Sequence, residues 1–234
     1  MKPLSVIIPS RKASNLVPCI EALKRNQPDV HVIVVNDGLD PNWRPVPAGI
    51  ALMEIPGQQP FIFSRNINLG IEAAGEDDVI LLNDDAQLET PGGFRALQAE
   101  QLAHPECGLV SSSTNGGSIL QLPQLPRFRY EKVMVPFICV FIPRLTIQKL
   151  GLLDERFGVR AEATTGPRGY GCDDDDYCWR VRIQEKMKLG ISDACFVDHK
   201  KLVSTFRGDP ARPADVLPHE RLFAEKWGRS PRNP

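Results

Sequence analysis

Val79-Ile80-Leu81-Leu82-Asn83-Asp84-Asp85 runs from four apolar residues straight into an amide and two carboxylates. A short continuous apolar run is the pattern of a strand buried on both faces, as in a parallel sheet. The abrupt change of polarity places the acids just past the strand's carboxyl end, on a rigid support. Spaced oxygens there suit a hard divalent cation, held by one or two carboxylates plus the phosphates of a ligand. An acidic turn that merely closes the strand is the plain alternative.

Upstream, the same alternation of strand and helix repeats. Residues 4–8 form a short β-branched run that ends at Pro9. Leu16, Cys19, Ile20 and Leu23 fall on one helical face, with Ser14 or Asn15 as the expected N-cap. Residues 30–35 read as a second strand, closed by Asn36-Asp37-Gly38, and 50–55 as a third. Ser64 is the expected cap of a helix over 65–74, stopped by Gly75. Downstream, 93–102 reads as a helix and 109–111 as a short strand. Pro123, Pro126, Pro136 and Pro143 then break the chain into shorter pieces. Strands are expected over 133–142 and 191–197. A helix is expected over 176–188, with Tyr177, Val181, Gln184 and Met187 inward, and a short one over 222–227.

Together these predict an α/β fold with a mostly parallel central sheet and helices on both faces. Ligands bind such sheets at the carboxyl ends of the strands. The acidic loops at Asp37 and at Asp84-Asp85 should therefore share one rim.

The 234 residues suffice for one large α/β domain, and 42% hydrophobic with 24% charged residues is ordinary for a globular chain. A formal net charge of −1 supplies no global basic field, so composition does not favour non-specific nucleic-acid binding. The six cysteines include no C-x-x-C pair, which argues against a structural zinc site and for free thiols. The apolar part of the N-terminus is too short for a signal peptide, and no apolar run approaches the ~20 residues of a membrane span. The expectation is a cytoplasmic protein, with peripheral membrane association left open.

Three further motifs carry chemistry. Arg65, in the first turn of its helix, could contact phosphates or stack on a base. The run Asp173-Asp174-Asp175-Asp176 precedes Tyr177-Cys178-Trp179-Arg180. A helix dipole offsets part of the repulsion among four acids at an N-terminus, and a solvated capping run is the plain alternative. His199, after Asp198, could bind a metal or a phosphate, with Ser204 and Thr205 close behind.

In order and spacing, these pieces resemble the family-2 glycosyltransferases of the GT-A fold. The matching stretches are Ser5-Val6-Ile7-Ile8-Pro9, Val34-Val35-Asn36-Asp37-Gly38, Arg65-Asn66 with Leu69-Gly70, and Leu82-Asn83-Asp84-Asp85. Leu153-Asp154-Glu155-Arg156-Phe157, the Asp173–Arg180 run and His199 complete the set. The resemblance spans about residues 4 to 205. It implies a GT-A domain over 1–205, and the remaining 206–234 are expected as a tail on or near the acceptor side.

The resemblance also implies roles. Asp37 holds the base of the nucleotide, uracil in many relatives, with Pro9, Arg65 and Asp84 lining the nucleotide pocket. Asp85 is the metal-coordinating acid of a D-x-D motif whose first position is Asn83. His199 contacts the metal, Mn2+ or Mg2+, or the diphosphate. The general base falls on Asp174 or Asp173, and Asp154 and Trp179 stand on the acceptor side. The implied reaction moves a sugar from a nucleotide diphosphate, a UDP-sugar first, to an acceptor hydroxyl with inversion. The acceptor is a carbohydrate, a lipid-linked intermediate or another hydroxyl compound, a modified DNA base among them. A dehydrogenase would need G-x-G-x-x-G where Pro9-Ser10-Arg11-Lys12 stands. A sugar-nucleotide nucleotidyltransferase would need a glycine-rich basic loop there. A non-catalytic sugar-nucleotide-binding protein would not need the retained acids.

Overall fold

The computed structural model describes residues 1–40, 43, 49–59, 61–116, 118–157, 171–200 and 212–231, with the backbone alone over 212–217. Tyr170, Ser204, Thr205 and the expected boundary at 205/206 lie outside the described residues.

The strand expected at the N-terminus is β1 (Leu4–Ser10), and all seven of its residues are buried. It lies at the centre of a parallel block, between β2 (His31–Asn36) and β4 (Asp78–Leu82). The more exposed β3 (Ala51–Pro56) pairs parallel with β2 and forms the edge. Side chains alternate across a strand, so β1 feeds two cores. Val6 and Ile8 pack with Leu16, Ile20 and Leu23 of α1 (Ala13–Asn26) and with Phe94 and Leu97 of α3 (Gly93–Ala103). Ile7 packs on the opposite face with Ile67 and Ile71 of α2 (Phe63–Ala73). The helices on both faces follow directly from the uninterrupted apolar strands.

Beyond β4 the sheet changes character. The short β5 (Gln87–Leu88), β6 (Cys107–Thr114), β7 (Phe128–Glu131), β8 (Cys139–Ile142) and β9 (Lys188–Asp198) complete nine strands. The path is β3-β2-β1-β4-β8-β6-β9-β5, with β7 on β9. β8 runs antiparallel to both β4 and β6, and β5 and β7 run antiparallel to β9, whereas β6 and β9 are parallel. The sheet is therefore mixed, and the parallel arrangement expected for the whole belongs to β3-β2-β1-β4 and to the β6–β9 pair.

Several boundaries differ from the sequence reading. The run over 133–142 is strand only from Cys139, because Pro136 can give no amide to a ladder. The helix expected over 176–188 starts earlier, as α5 (Asp173–Trp179), passes into a π-type turn at Arg180–Gln184, and gives way to β9 at Lys188. Gln184 is exposed, and Met187 packs partly buried against the core. The last helix, α6 (Arg212–Trp227), is longer than the 222–227 expected. A further short helix, α4 (Arg144–Leu150), follows β8.

The two expected caps are not caps. Lys12 and Ile62 occupy those positions without side-chain bonds, so Asn15 and Ser64 lie within the first turns and point inward. Ser64 Oγ donates to the Phe157 carbonyl at 3.0 Å, and the Asn15 side chain lies against Asp84.

Close contact between α2 and β1 depends on Gly70. A Cβ there would stand 2.2 Å from Cγ2 of the fully buried Ile7. Gly70→Ala should therefore lower unfolding free energy by about 1–3 kcal/mol, despite the better helix propensity of alanine. An unchanged denaturant midpoint would show that α2 and β1 are not packed this tightly.

Candidate active site

β2 and β4 flank β1 in parallel, so their carboxyl ends meet at one rim, and Ser10 joins them. Its carbonyl accepts from the Asp37 N–H at 2.8 Å, and its hydroxyl donates to Asp84 Oδ2 at 2.7 Å. One residue at the end of β1 thus ties the Asp37 loop to the acidic turn. Pro9, buried beside it, pairs in register with Val35.

Asp37 is almost fully buried, which raises its pKa, while the Arg11 guanidinium acts in the opposite direction. Gln59 Nε2 donates to Asp37 Oδ1 at 2.8 Å and to its carbonyl at 3.1 Å. Asp37 Oδ2 is buried without a hydrogen-bond partner, with Arg11 Nε at 3.8 Å. A buried carboxylate oxygen without a donor is costly, and the nearby Arg11 charge offsets part of that cost. Gly57 lets the Gln58-Gln59 segment approach, since a Cβ there would lie 2.8 Å from the Asn36 carbonyl.

Asp84 and Asp85 diverge. Asp84 turns towards Ser10 and Asn15, and burial drives its pKa up to about 6 against those hydrogen bonds, aided by the Asp85 charge. Asp85 Oδ1 lies 2.9 Å from His199 Nε2. His199 reaches this point because β9 runs alongside β6. Its N–H donates to Asn115 Oδ1 at 2.9 Å, and Nδ1 is 3.3 Å from the Gly116 carbonyl. Gly116 has no room for a side chain, because a Cβ would stand 2.8 Å from that of His199. With Nδ1–H on the Gly116 carbonyl, Nε2 faces Asp85 as a donor when protonated and as a lone pair when neutral. Burial opposes the imidazolium, but the Asp85 hydrogen bond and charge outweigh it, and the His199 pKa is raised.

This pair fits a divalent ion. Two octahedral ligands at right angles, each about 2.1 Å from Mg2+, are about 3 Å apart, close to the 2.9 Å observed. Among the described residues no cluster of three or more His, Cys, Asp and Glu side chains converges. The protein would therefore give two donors and leave the remaining positions to phosphate and water, as is usual for Mg2+. The imidazole nitrogen favours Mn2+ over the harder Mg2+.

The four acids of α5 occupy four different environments. Asp173 is buried and accepts from the Gly171 N–H at 3.3 Å. Asp176 is pinned by Lys226 Nζ and Trp227 Nε1, both at 2.8 Å, and by Arg180 Nε at 3.2 Å. Asp175 remains partly exposed. Asp174 also keeps partial exposure, with Oδ1 accepting from the Asp175 N–H at 2.9 Å, and the Phe137 N–H acts on it as well. Desolvation raises the pKa values of both Asp173 and Asp174, and neighbouring acids add to it. The next residue, Ile138, accepts from the Asn83 N–H at 2.9 Å. Consecutive residues of one segment therefore hold the acidic turn and Asp174 side by side.

The other expected site residues have partners of their own. Arg65 Nε is paired with Glu155 Oε2 at 3.1 Å. Asp154 is held by Arg156 and by Lys226 Nζ at 2.8 Å, and these cations keep its carboxyl well below the usual range against the effect of burial. Trp179 packs edge-on to Phe223 with ring centres 5.9 Å apart, and lies 6.1 Å from Trp227. Trp179 thus holds α6 to α5, and Asp154 ties α6 to the segment after α4. Ser10, Gln59, Gly116 and Phe137 carry much of the site yet were missed in the sequence. Only Ser10 carries a signal, as the polar residue that ends the β1 run.

The sign of the pH dependence follows. Asp84, Asp173 and Asp174 have folded pKa values above their unfolded ones. Each stabilises most below the unfolded value near 4 and loses that contribution as pH rises through the folded value. His199, also raised, loses its contribution as pH rises through its own folded pKa. Without divalent ions, stability should fall between pH 5 and pH 8. Asp84→Asn should recover on the order of 1–3 kcal/mol at pH 8 and less at pH 5. Thermal melts in chelator test this, and a wild-type stability that rises over that range would contradict it.

Residues 5–115 match the family model described as Glycosyl transferase family 2. No curated protein matches the chain in sequence. Among solved structures the fold is similar to GalNAc-T7 crystallised with UDP, GalNAc and Mn2+, at 12% identity and TM-score 0.72, covering 100% of this chain and 49% of that one. It is similar to the mannosyltransferase PcManGT of Pyrobaculum calidifontis in complex with GDP-Man and Mn2+, at 14% identity and TM-score 0.71, covering 98% and 66%. A third similar structure is S. aureus TarS 1-349, at 12% identity and TM-score 0.65, covering 97% and 66%. The chain spans about half to two thirds of the length of these proteins. The sequence of its first half and the fold of the whole agree: residues 5–115 match the glycosyl transferase family 2 model, and the chain has the GT-A fold.

Proposed function

We propose that this chain transfers a sugar from a nucleoside diphosphate, a UDP-sugar first among candidates, to an acceptor hydroxyl with inversion. The observation that carries the reading is the meeting of Asp85 with His199 at 2.9 Å. In this reading the unpartnered Asp37 Oδ2 accepts an N–H of the base, and Arg11 and Gln59 frame it. Asp84, fixed by Ser10, holds the acidic turn in shape. Asp85 and His199 hold Mn2+ or Mg2+, which when bound neutralises charge on the diphosphate.

Asp174 is the general base. It keeps partial exposure and a raised pKa, whereas Asp173 is turned onto Gly171 and Asp176 onto α6. Its carboxylate takes the proton of the acceptor hydroxyl as that oxygen bonds to the anomeric carbon. The bond from that carbon to the diphosphate oxygen breaks, and its electron pair leaves with the nucleoside diphosphate. One displacement from the opposite face inverts the configuration. The GT-A domain is assigned to 1–205, and the tail over 206–234, through α6, braces α5 behind the base.

A thermal-shift panel of nucleotide sugars with and without Mn2+ tests the donor side. One sugar nucleotide should raise Tm only with the metal, and Asp85→Ala should abolish that shift. A full shift in Asp85→Ala would remove the metal assignment. Asp174→Asn should keep the donor shift while transfer falls by about 10²-fold or more. If Asp173→Asn is the inactive variant instead, the base lies one residue earlier.

A further inference from the structure

The segment between β6 and β7 presents an unusual surface. Ile119 and Leu125 are 78% and 85% exposed, and Leu120 and Leu122 about 40%, so four aliphatic side chains face solvent within seven residues. Clustered exposure of this kind marks a binding surface more often than chance. The backbone beneath them is built rather than loose. Gln121 is fully buried, with Nε2 donating to Ser111 Oγ at 2.8 Å and to the Pro136 carbonyl at 3.0 Å. Arg129 Nη2 donates to the carbonyls of Leu120 at 3.1 Å and Leu122 at 2.9 Å. Asp193 takes the Gln124 N–H at 2.9 Å and pairs with Arg129 Nη1 at 2.9 Å.

The position of this ledge identifies its occupant. At one end, Gly116 accepts from His199, on the side of the proposed leaving group. Near its middle, Gln121 binds Pro136, the residue before Phe137, whose N–H acts on Asp174. The first residues of the ledge therefore lie beside the proposed diphosphate site and base, where an acceptor hydroxyl must enter, and Gln124 and Leu125 lead away from it towards Asp193 of β9. Arg127, exposed two residues beyond Leu125, adds positive charge at its far end.

We infer that the acceptor is an amphiphile, a glycoside or alcohol carrying a hydrocarbon chain that lies along Ile119, Leu120, Leu122 and Leu125. The inference rests on the glycosyltransferase reading and adds the acceptor class to it. Apolar area removed from water drives such binding without directional demands, which suits aliphatic side chains on a rigid support. Exposed aliphatics are otherwise a liability for a soluble surface, and polar residues would hold this backbone equally well.

The test uses the full chain and matched methyl and octyl glycosides of several sugars, below the micelle concentration, with the donor shift as control. The variant is Ile119→Ser with Leu125→Ser, both outside the proposed catalytic groups. Octyl glycosides should bind wild type at least ten-fold more tightly than their methyl partners. The variant should lose that gain while keeping its Tm and its metal-dependent donor shift. Equal binding of methyl and octyl forms overturns the inference, as does a gain that survives in the variant. Recruitment to phosphatidylglycerol vesicles, or self-association by light scattering, abolished by the variant without any octyl preference, would assign the ledge to a bilayer or a second copy and also overturn it. Loss of the donor shift in wild type would instead remove the underlying glycosyltransferase reading.

Discussion

The candidate site depends on a carboxylate and an imidazole being delivered to one point by distant parts of the chain. Asp85 follows β4 in the parallel block, and His199 follows β9 at the far end of a mixed sheet, yet they stand 2.9 Å apart. Neither position is local in sequence. β8 makes the join, because it binds β4 on one side and β6 on the other, and β6 carries β9 with it. Gly116 then lets the two backbones close. Burying a carboxylate is expensive unless a partner offsets the cost, and each acid at this rim has a different partner: Ser10 for Asp84, His199 for Asp85, Gln59 for Asp37.

The same logic separates the four acids of α5. A run of like charges would be destabilising if all four faced solvent together, even at a helix N-terminus. Here one is turned inward onto a backbone amide and another is neutralised by Lys226 and Arg180. The α6 contacts, with Trp227 donating to Asp176 and Phe223 packing on Trp179, hold α5 by its middle. The first turn is left to meet the segment over 136–138. The C-terminal helix therefore bears on the site through α5.

Much of this was legible in the sequence, and the reasons are physical. Uninterrupted apolar runs determined β1, β2 and β4, and the polarity change after β2 and β4 located Asp37, Asp84 and Asp85, while His199 follows the more broken run of β9. The parallel order of the first strands put two of the acidic loops on one rim. What the sequence hid depends on tertiary contact. Asn15 and Ser64 look like caps, yet a buried partner claims each side chain. Asp154 and Trp179 have the right motif but are engaged by Lys226 and Trp227 of α6, far along the chain. The antiparallel β8, between β4 and β6, broke the expected parallel sheet, because strand direction is set by pairing partners distant in sequence. Arg127-Phe128-Arg129-Tyr130 suits an ordinary loop by composition, but most of it pairs as β7 with β9.

The central claim is that Asp85 and His199 bind one divalent ion together with a diphosphate. Electron spin echo measurements on Mn2+ bound with a nucleoside diphosphate address it directly. The account predicts nitrogen modulation from a coordinated imidazole that vanishes in His199→Gln, alongside phosphorus coupling from the nucleotide. Phosphorus coupling without any His199-dependent nitrogen signal would contradict it.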